Sequence, residues 1–226
     1  MRRLIVCAAA LLAACVPPQK DYTKLVAADP HAILVVPVVN KSIDVDAADY
    51  FLSTLPVPLA ERGYYVFPVN LVKRVLEDDG LGDASLVHGA DPTRLCALFG
   101  ADAVLYATIE QWTAAYMVFT TQVTVEASYT LKDGKTGETL WVGTQKMVYS
   151  PQSSSGNPIA DLVANAITAA VVKAKPNYLP LARKANAAAL QYPGPGLPAG
   201  PYGGEYKRDL AFGQRGIVPA TDAPRL

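Results

Sequence analysis

An alternation of apolar and polar side chains over residues 119–131, interrupted at Thr121, limits the possible folds more than any other feature of the sequence. A period of two places every second side chain on the same face, so this run predicts a half-buried antiparallel strand. The turn segment 133–137 (Asp-Gly-Lys-Thr-Gly) follows, and residues 140–149 return as a further strand. Together with an earlier strand over residues 103–109, these runs predict an antiparallel meander. The inner face of the alternating strand is predicted to carry Phe119, Thr121, Val123, Val125, Ala127, Tyr129 and Leu131.

The first half of the domain carries strands that alternate with helices. Residues 32–40 and 64–69 are nearly continuous apolar runs, which predicts strands buried on both faces. Pro37 has no N–H to donate, so we expect it at an edge or a bulge. Residues 46–62 predict a helix that its two prolines break or kink. The side chains of this helix that are predicted to face the sheet are Tyr50, Leu52, Leu55 and Leu59.

Three further helices are predicted around these strands. The first covers residues 70–79 and is capped by Asn70, and a short one opens at Asp91 and closes at Gly100. An amphipathic helix over residues 159–174 follows the meander. The order β-α-β-α-α-β-β-β-α predicts an α/β fold with a single mixed β-sheet flanked by helices. The apolar stripe of the first of these helices is predicted to be Leu71, Val72, Val75 and Leu76.

The first fifteen residues have the composition of an export signal that ends at a lipid-attachment cysteine. Two arginines precede a short apolar run over residues 4–12, which is too short to cross a hydrocarbon layer about 30 Å thick. Residues 12–15 (Leu-Ala-Ala-Cys) match the lipobox. The resemblance to bacterial lipoproteins implies cleavage between Ala14 and Cys15 and a membrane anchor of diacylglycerol on the Cys15 sulfur. An uncleaved anchor and an ordinary signal peptide with an incidental cysteine are the alternatives.

The chain is predicted to divide into a signal peptide (1–14), the lipidated cysteine with a tether (15–31), the α/β domain (32–175) and a Pro/Gly-rich C-terminal extension (176–226). If flexible, the tether averages roughly 22 Å from end to end. Six prolines and seven glycines fall in the last 36 residues, too many to sustain a helix or a strand. Three tyrosines are expected to pin this extension to the domain: Tyr192, Tyr202 and Tyr206.

Composition and motifs argue against most catalytic and nucleic-acid-binding classes. Twenty Lys+Arg balance twenty Asp+Glu, whereas a nucleic-acid clamp needs a basic excess. His31 and His88 stand in no zinc motif, and Cys96, the one thiol left after lipidation, is expected to be a buried apolar group rather than a redox centre. Residues 134–136 (Gly-Lys-Thr) echo a phosphate-binding loop but lack its first glycine, so we predict a turn. No catalytic residue, metal site or cofactor is predicted.

Acidic and aromatic groups leave some interpretations open. Asp44, Asp46 and Asp49 offer oxygen ligands of the kind calcium prefers, but the rest of a calcium loop is missing, so helix capping by Asp46 is favoured. The acidic run 77–79 is expected to be a solvated helix end rather than a contact for a basic partner. An aromatic group is expected in the core, with an exposed protein interface as the alternative: Trp112, Tyr116, Phe119 and Trp141.

Several blocks of the sequence resemble a family of Gram-negative outer-membrane lipoproteins whose best-known member was a genome-derived vaccine-candidate surface antigen. The resemblance runs from residue 33 to residue 175 and implies a fold similar to the N-terminal domain of TolB. It also implies a relation to the accessory lipoproteins of curli-type secretion and of peptidoglycan-synthase activation, which act by binding envelope proteins. The family carries no catalytic motif to transfer. The blocks are residues 51–55, 58–69, 99–106 and 136–141, with a similar proline-rich end at 200–202.

The sequence therefore predicts a non-catalytic protein-binding module in cell-envelope assembly or export, with an envelope protein and no nucleic acid as its partner. Val16 rather than Asp follows Cys15, which by resemblance to the Gram-negative sorting rule favours export to the outer membrane over inner-membrane retention. The predicted location is the periplasmic face of the outer membrane. One alternative is a structural or surface-exposed lipoprotein that self-associates, for example as a homodimer. A third is an envelope glycan or lipid hydrolase, which needs convergent carboxylates from residues 44–49 or Glu110.

Overall fold

The computed structural model describes residues 20–117, 120–149, 179–192 and 195–209. Cys15 and the predicted helix over 159–174 lie outside these residues. The helices in chain order are α1 (Thr23–Ala28), α2 (Ala47–Thr54), α3 (Pro56–Glu61), α4 (Val69–Asp78), α5 (Ala84–Gly89), α6 (Pro92–Phe99) and α7 (Leu179–Gln191). The strands are β1 (Ala32–Val35), β2 (Val39–Asn40), β3 (Tyr65–Val66), β4 (Ala103–Met117), β5 (Thr120–Asp133) and β6 (Thr139–Tyr149).

One mixed sheet joins the six strands of the described chain. Five of them follow the order β3-β1-β4-β5-β6, and β2 pairs with β4 outside this order. β1 is parallel to both of its neighbours, and β2 is parallel to a later stretch of β4. β4, β5 and β6 form the antiparallel meander. The predicted α/β fold with a single mixed sheet flanked by helices is confirmed, including the change from parallel to antiparallel pairing.

The predicted strand over residues 32–40 is two short strands, because Pro37 interrupts the ladder. Proline has no N–H to donate to a neighbouring strand. Both pieces still pair with β4, with Val35 opposite Leu105 and Val39 opposite Thr108. The predicted strand over 64–69 is shortened to β3, since α4 already begins at its last residue.

The predicted helix over residues 46–62 is broken into α2 and α3 at Leu55, directly before Pro56. A proline disfavours helical geometry in the residue before it and cannot donate to the preceding turn. Leu52, Leu55 and Leu59 are buried as predicted, but Phe51 is buried in place of Tyr50. The buried face was therefore misplaced by one residue, which on a helix is about 100°.

The helix α4 begins one residue earlier than predicted, directly after Pro68. Asn70 consequently lies inside the first turn and does not cap the helix. The buried stripe is Val69, Val72 and Leu76, whereas Leu71 and Val75 are exposed, so half of the predicted stripe was wrong.

The two short helices after α4 are fixed by aspartate caps. The Asp83 carboxylate accepts hydrogen bonds from the backbone N–H groups of Ser85 and Leu86, which starts α5, a helix that the sequence pattern did not predict. Asp91 likewise accepts from the N–H of Thr93 at the start of α6. α6 ends, as predicted, at Gly100 in the left-handed region at φ 71°.

The sheet separates two apolar cores. The larger core lies between the sheet and α2, α3 and α7, and the smaller one between β1, β4 and the helices α4, α5 and α6. Tyr129 of β5 is fully buried in the larger core, and Cys96 is 1% exposed in the smaller one. The described part of β5 alternates as predicted, with Val123, Val125, Ala127, Tyr129 and Leu131 buried.

Segments at both ends of the described chain belong to the larger core, which corrects two predicted boundaries. The predicted tether contains α1, and its Leu25 is buried together with the preceding Tyr22. The predicted extension after residue 175 contains α7, whose buried residues pack against the sheet. The core reaches Ala199. The buried residues of α7 are Leu181, Ala182, Ala185, Asn186, Ala189 and Leu190.

A buried polar group fixes the position of α7. Asn186 is fully buried, and its side-chain oxygen accepts a hydrogen bond from the Tyr129 hydroxyl at 2.7 Å. Its amide donates to the Thr54 hydroxyl at 2.8 Å and to the Phe51 carbonyl at 3.3 Å. Because buried polar groups are costly when unpaired, these bonds favour one register of α7 against α2 and β5.

Candidate membrane-proximal and binding surfaces

The described chain begins at Lys20, whose side chain is fastened to the outer side of β6. Its ammonium donates to the carbonyl oxygen of Pro195 at 2.6 Å and to that of Val142, and it lies 4.6 Å from the centroid of the Trp141 ring. Burial lowers the pKa of this ammonium from its ordinary value. The point at which the chain departs toward Cys15 is therefore set against β6.

The segment from Lys20 to β1 is held along the domain by contacts with residues far away in sequence. The Tyr22 hydroxyl donates to the Gly196 carbonyl at 2.7 Å, and burial raises the pKa of this phenol to about 12. Asp29 accepts from the Tyr206 hydroxyl at 2.6 Å, and this hydrogen bond lowers the pKa of the Asp29 carboxyl. The backbone N–H groups of His31 and Ala32 donate to the Asp102 carboxylate at 3.0 and 2.9 Å. Residues 20–31 are thus an ordered edge of the domain.

Residues 195–209 form a C-terminal clamp across the end of α3. The N–H groups of Gly200 and Tyr202 donate to the carbonyls of Arg62 and Gly63 at 2.7 and 2.9 Å. Arg62 also forms an ion pair with Asp209. Gly63 has φ 85°, and a Cβ placed there would lie 2.0 Å from the Gly203 nitrogen, so the clamp requires glycine at this position.

The three tyrosines of the predicted C-terminal extension differ in their contacts and exposure. Tyr206 pins the clamp to Asp29, as predicted for the group. Tyr192 and Tyr202 are instead 64% and 70% exposed, so pinning was wrong for these two side chains. The Tyr202 ring lies edge-on to the ring of His31, at 6.0 Å between centroids.

A groove of about 320 Å³, which we call the anchor-side groove, lies where Lys20 meets β6 and α7. Lys20 is the only charged side chain among the described residues that line it. The other lining residues are Val142, Gly143, Thr144, Gln145, Ala188, Ala189, Tyr192 and Pro195.

β6 is an edge strand of the described sheet, pairing with β5 alone. In an antiparallel strand the N–H and C=O of one residue point the same way, and successive residues point to opposite sides. Since the Val142 carbonyl accepts from Lys20, the backbone groups of Val142, Thr144, Lys146 and Val148 point away from β5. Near the middle of this edge, the Lys146 carbonyl accepts from the side chain of Gln145.

Comparison with known proteins places the chain in a family. The family model described as "Putative lipoprotein GNA1162-like" matches residues 20–202. The chain belongs to this family. It is 36% identical over 169 residues to "Putative lipoprotein NMB1124/NMB1162" of Neisseria meningitidis serogroup B, covering 73% of this chain and 79% of the relative.

A solved structure of a lipoprotein from this family agrees with the fold. The crystal structure of lipoprotein GNA1162 from Neisseria meningitidis is 33% identical, has a TM-score of 0.54, and covers 63% of this chain and 99% of its own. A PelC dodecamer from Paraburkholderia phytofirmans is 14% identical with a TM-score of 0.46, covering 76% of this chain and 90% of its own. The expected membership in a lipoprotein family is confirmed. Among the described helices, none has the length and apolarity to cross a membrane.

Three of the candidate hydrolase carboxylates, those of Glu110, Asp44 and Asp49, are engaged by a neighbour. Glu110 accepts from Lys41 and Ser128, both at 2.7 Å, and these bonds lower the pKa of its carboxyl, the wrong direction for a general acid. Asp44 accepts from the N–H of Asp46 at 3.0 Å, and Asp49 pairs with Lys73. Across the residues that the structure describes, no three His, Cys, Asp or Glu side chains form a metal-binding group.

The predicted turn at residues 134–136 is confirmed, whereas the predicted side-chain cap by Asp46 is not observed. Asp46 occupies the N-cap position of α2, but its side chain makes no capping hydrogen bond, so that part of the prediction was wrong. The 134–136 segment is a turn as predicted, because the Asp133 carboxylate accepts from the N–H groups of Lys135 and Thr136. In the acidic run 77–79, Asp78 pairs with Arg74 one turn earlier.

Cys96 and His88 are parts of the smaller core. Cys96 is buried in the smaller core, which confirms the prediction of a buried apolar group. Burial raises the pKa of its thiol to about 11, which disfavours thiolate chemistry. His88 lies in α5, with its Nε2 3.0 Å from the Pro37 carbonyl oxygen. Burial lowers the pKa of His88. Trp112 and Trp141 are buried as expected, whereas the side chains of Tyr116 and Phe119 lie outside the description.

Proposed function

We propose that the protein is a lipoprotein of the outer membrane that faces the periplasm and binds an envelope protein along the edge of β6. It is held by lipid on Cys15 after cleavage behind Ala14, and the domain acts by binding rather than by catalysis. Membership in the lipoprotein family and the lipobox support the anchor. The observation that carries the binding role is the edge of β6.

An edge strand offers a row of backbone donors and acceptors to an extended segment of a partner. The Val142 carbonyl already accepts from Lys20, so the outward-pointing residues left for a partner, 144–148, span about 13 Å at the usual rise of a strand. Val142 and Val148 are about half exposed, and between them Lys146 is paired with Glu126 at 2.8 Å. Natural sheets usually protect such an edge with unpaired charge, and this edge has little. An added strand would therefore find both backbone partners and apolar contacts.

Site-specific photocrosslinking in intact cells, at native expression, tests this surface. A photoreactive residue at Lys146 should give a discrete crosslink to an envelope protein. The matched position is Leu71, which is exposed on α4, a helix that packs against β1 rather than β6, and it should give none. A crosslink of equal strength at both positions, or none at Lys146, would count against binding at β6.

A substitution that removes a backbone N–H distinguishes binding through the backbone of β6 from binding through its side chains. Thr144→Pro removes one outward N–H, and an edge strand tolerates proline better than a central one. Thr144→Ala keeps the N–H and serves as the control. We expect the crosslink from Lys146 to be lost in Thr144→Pro and kept in Thr144→Ala, with both variants retaining the far-UV circular dichroism of the parent.

Self-association through the same edge is the second candidate function, because two copies of β6 can pair antiparallel. Sedimentation of the protein distinguishes the two candidates. A dimer that Thr144→Pro dissociates would favour self-association. A monomer at high concentration, together with a heterologous crosslink at Lys146, favours an envelope partner.

A further inference from the structure

The connection between the proposed lipid and the folded domain is short. Four residues, 16–19, separate Cys15 from Lys20, the first described residue. Five residue steps span at most about 18 Å even when fully extended. The predicted tether would have continued to residue 31, but residues 20–31 are bound to the domain. The side of the domain at Lys20 must therefore lie close to the bilayer that holds the lipid.

The position of Lys20 identifies which side this is. Its ammonium is fixed by the carbonyls of Val142 and Pro195, at the rim of the anchor-side groove. Tyr22, two residues later, is buried and bonded to Gly196, so the chain cannot swing away without breaking these contacts. With lipid on Cys15, the rim of the groove at Lys20 therefore stays within about 18 Å of the lipid-bearing residue while the domain is folded.

The chemistry of this side suits a phospholipid interface. Tyr192 is 64% exposed and Val142 is 53% exposed, and both line the groove. Tyrosine is favoured at the boundary between headgroups and acyl chains, since its ring is apolar and its hydroxyl is polar. None of the described lining residues is acidic, so no carboxylate there opposes the phosphate layer.

We propose that the anchor-side groove, with Tyr192 at its rim, rests on the phospholipid surface and sets the orientation of the domain on the membrane. This proposal depends on the lipid at Cys15 from the proposed function. A weak contact suffices, because the short connection holds the groove at high effective concentration near the lipid. Val142 then lies at the membrane-facing end of β6, and the edge continues away from it through Lys146 to Val148, where it is available to envelope proteins.

The test is fluorescence quenching of the full lipidated chain in vesicles of phosphatidylethanolamine and phosphatidylglycerol. A polarity-sensitive dye is attached to Tyr192→Cys, or to Leu71→Cys as the matched control. Tyr192 and Leu71 are both 64% exposed, but Leu71 lies on α4, on the opposite face of the sheet. Cys96 is buried, and the labelled parent protein gives its background.

With spin-labelled lipid in the vesicles, the dye at residue 192 should lose most of its fluorescence and shift to shorter wavelength. The dye at residue 71 should change no more than the background. Equal quenching at the two positions, or none at residue 192, overturns the proposal if the protein still floats with the vesicles. Failure to float would instead contradict the lipid anchor, so the two failures are distinguishable.

Discussion

At the scale of single residues, the local structure depends on the buried thiol of Cys96, the capping carboxylate of Asp91 and the buried amide of Asn186. Cys96 was expected to be a buried thiol and is one, because it sits in an apolar helical run. Asp91 was expected to cap a helix and does, since capping depends on neighbouring residues only. Phe51 was missed because adjacent apolar residues, Tyr50 and Phe51, both fit a helical stripe. Asn186 was missed because its partners are more than fifty residues away.

The buried amide of Asn186 leads to a stability prediction. Asn186→Ala leaves the Tyr129 and Thr54 hydroxyls without this partner inside the core, and we expect the free energy of unfolding to fall by about 1–3 kcal/mol. Urea denaturation measures the change. Arg183→Ala, at an exposed position of the same helix, should have a much smaller effect. Equal losses for the two variants would mean that the hydrogen-bond network does not fix α7.

The raised pKa of Cys96, to about 11, predicts low thiol reactivity. An unperturbed cysteine titrates near pH ~8.5, so at pH 8 the folded protein contains far less thiolate than the unfolded chain. We expect alkylation at pH 8 to be more than about a hundredfold slower in buffer than in urea, since thiolate is the reacting form. Mass spectrometry of the alkylated lipid-free domain measures both rates. Similar rates would show that the thiol is accessible.

At the scale of elements, the sequence predicted the sheet but neither helix α1 nor the C-terminal clamp. The alternation of β5 and the apolar runs before it were sufficient for the mixed sheet, because the period of side chains is a local property. Helix α1 was missed because it has only six residues and a weak apolar pattern. Tertiary contacts stabilise it. The C-terminal clamp was missed for a related reason. A Pro/Gly-rich segment has no period, yet its backbone groups bond to Arg62 and Gly63.

The clamp leads to a prediction at Gly63. Gly63→Ala adds a Cβ 2.0 Å from the Gly203 nitrogen at a positive φ, which must displace the clamp. Gly80→Ala is the matched control, because Gly80 has φ 80° and no atom within 4 Å of the added Cβ. Both variants should lose about 1–2 kcal/mol from the left-handed conformation. Gly63→Ala should lose more in urea denaturation and expose residues 195–209 to protease, whereas equal behaviour would contradict the clamp.

At the scale of the whole molecule, the ordered segments at both ends change how the domain sits in the envelope. The sequence predicted a tether of roughly 22 Å, but Tyr22 bonds to Gly196, a contact between residues 174 positions apart. No local pattern reveals such a contact. The lipobox and the family together describe a lipoprotein, and the structure adds that the described domain begins five residues after the proposed lipid-bearing Cys15.

The central claim is that this domain is carried on lipid attached to Cys15, and the intact mass of the protein purified from membranes tests it most directly. The account predicts a mature chain that begins at Cys15 and carries the added mass of diacylglycerol. It further predicts that Cys15→Ala abolishes both the cleavage and the added mass. A chain that keeps residues 1–14, or one cleaved at another position without lipid, would contradict the account.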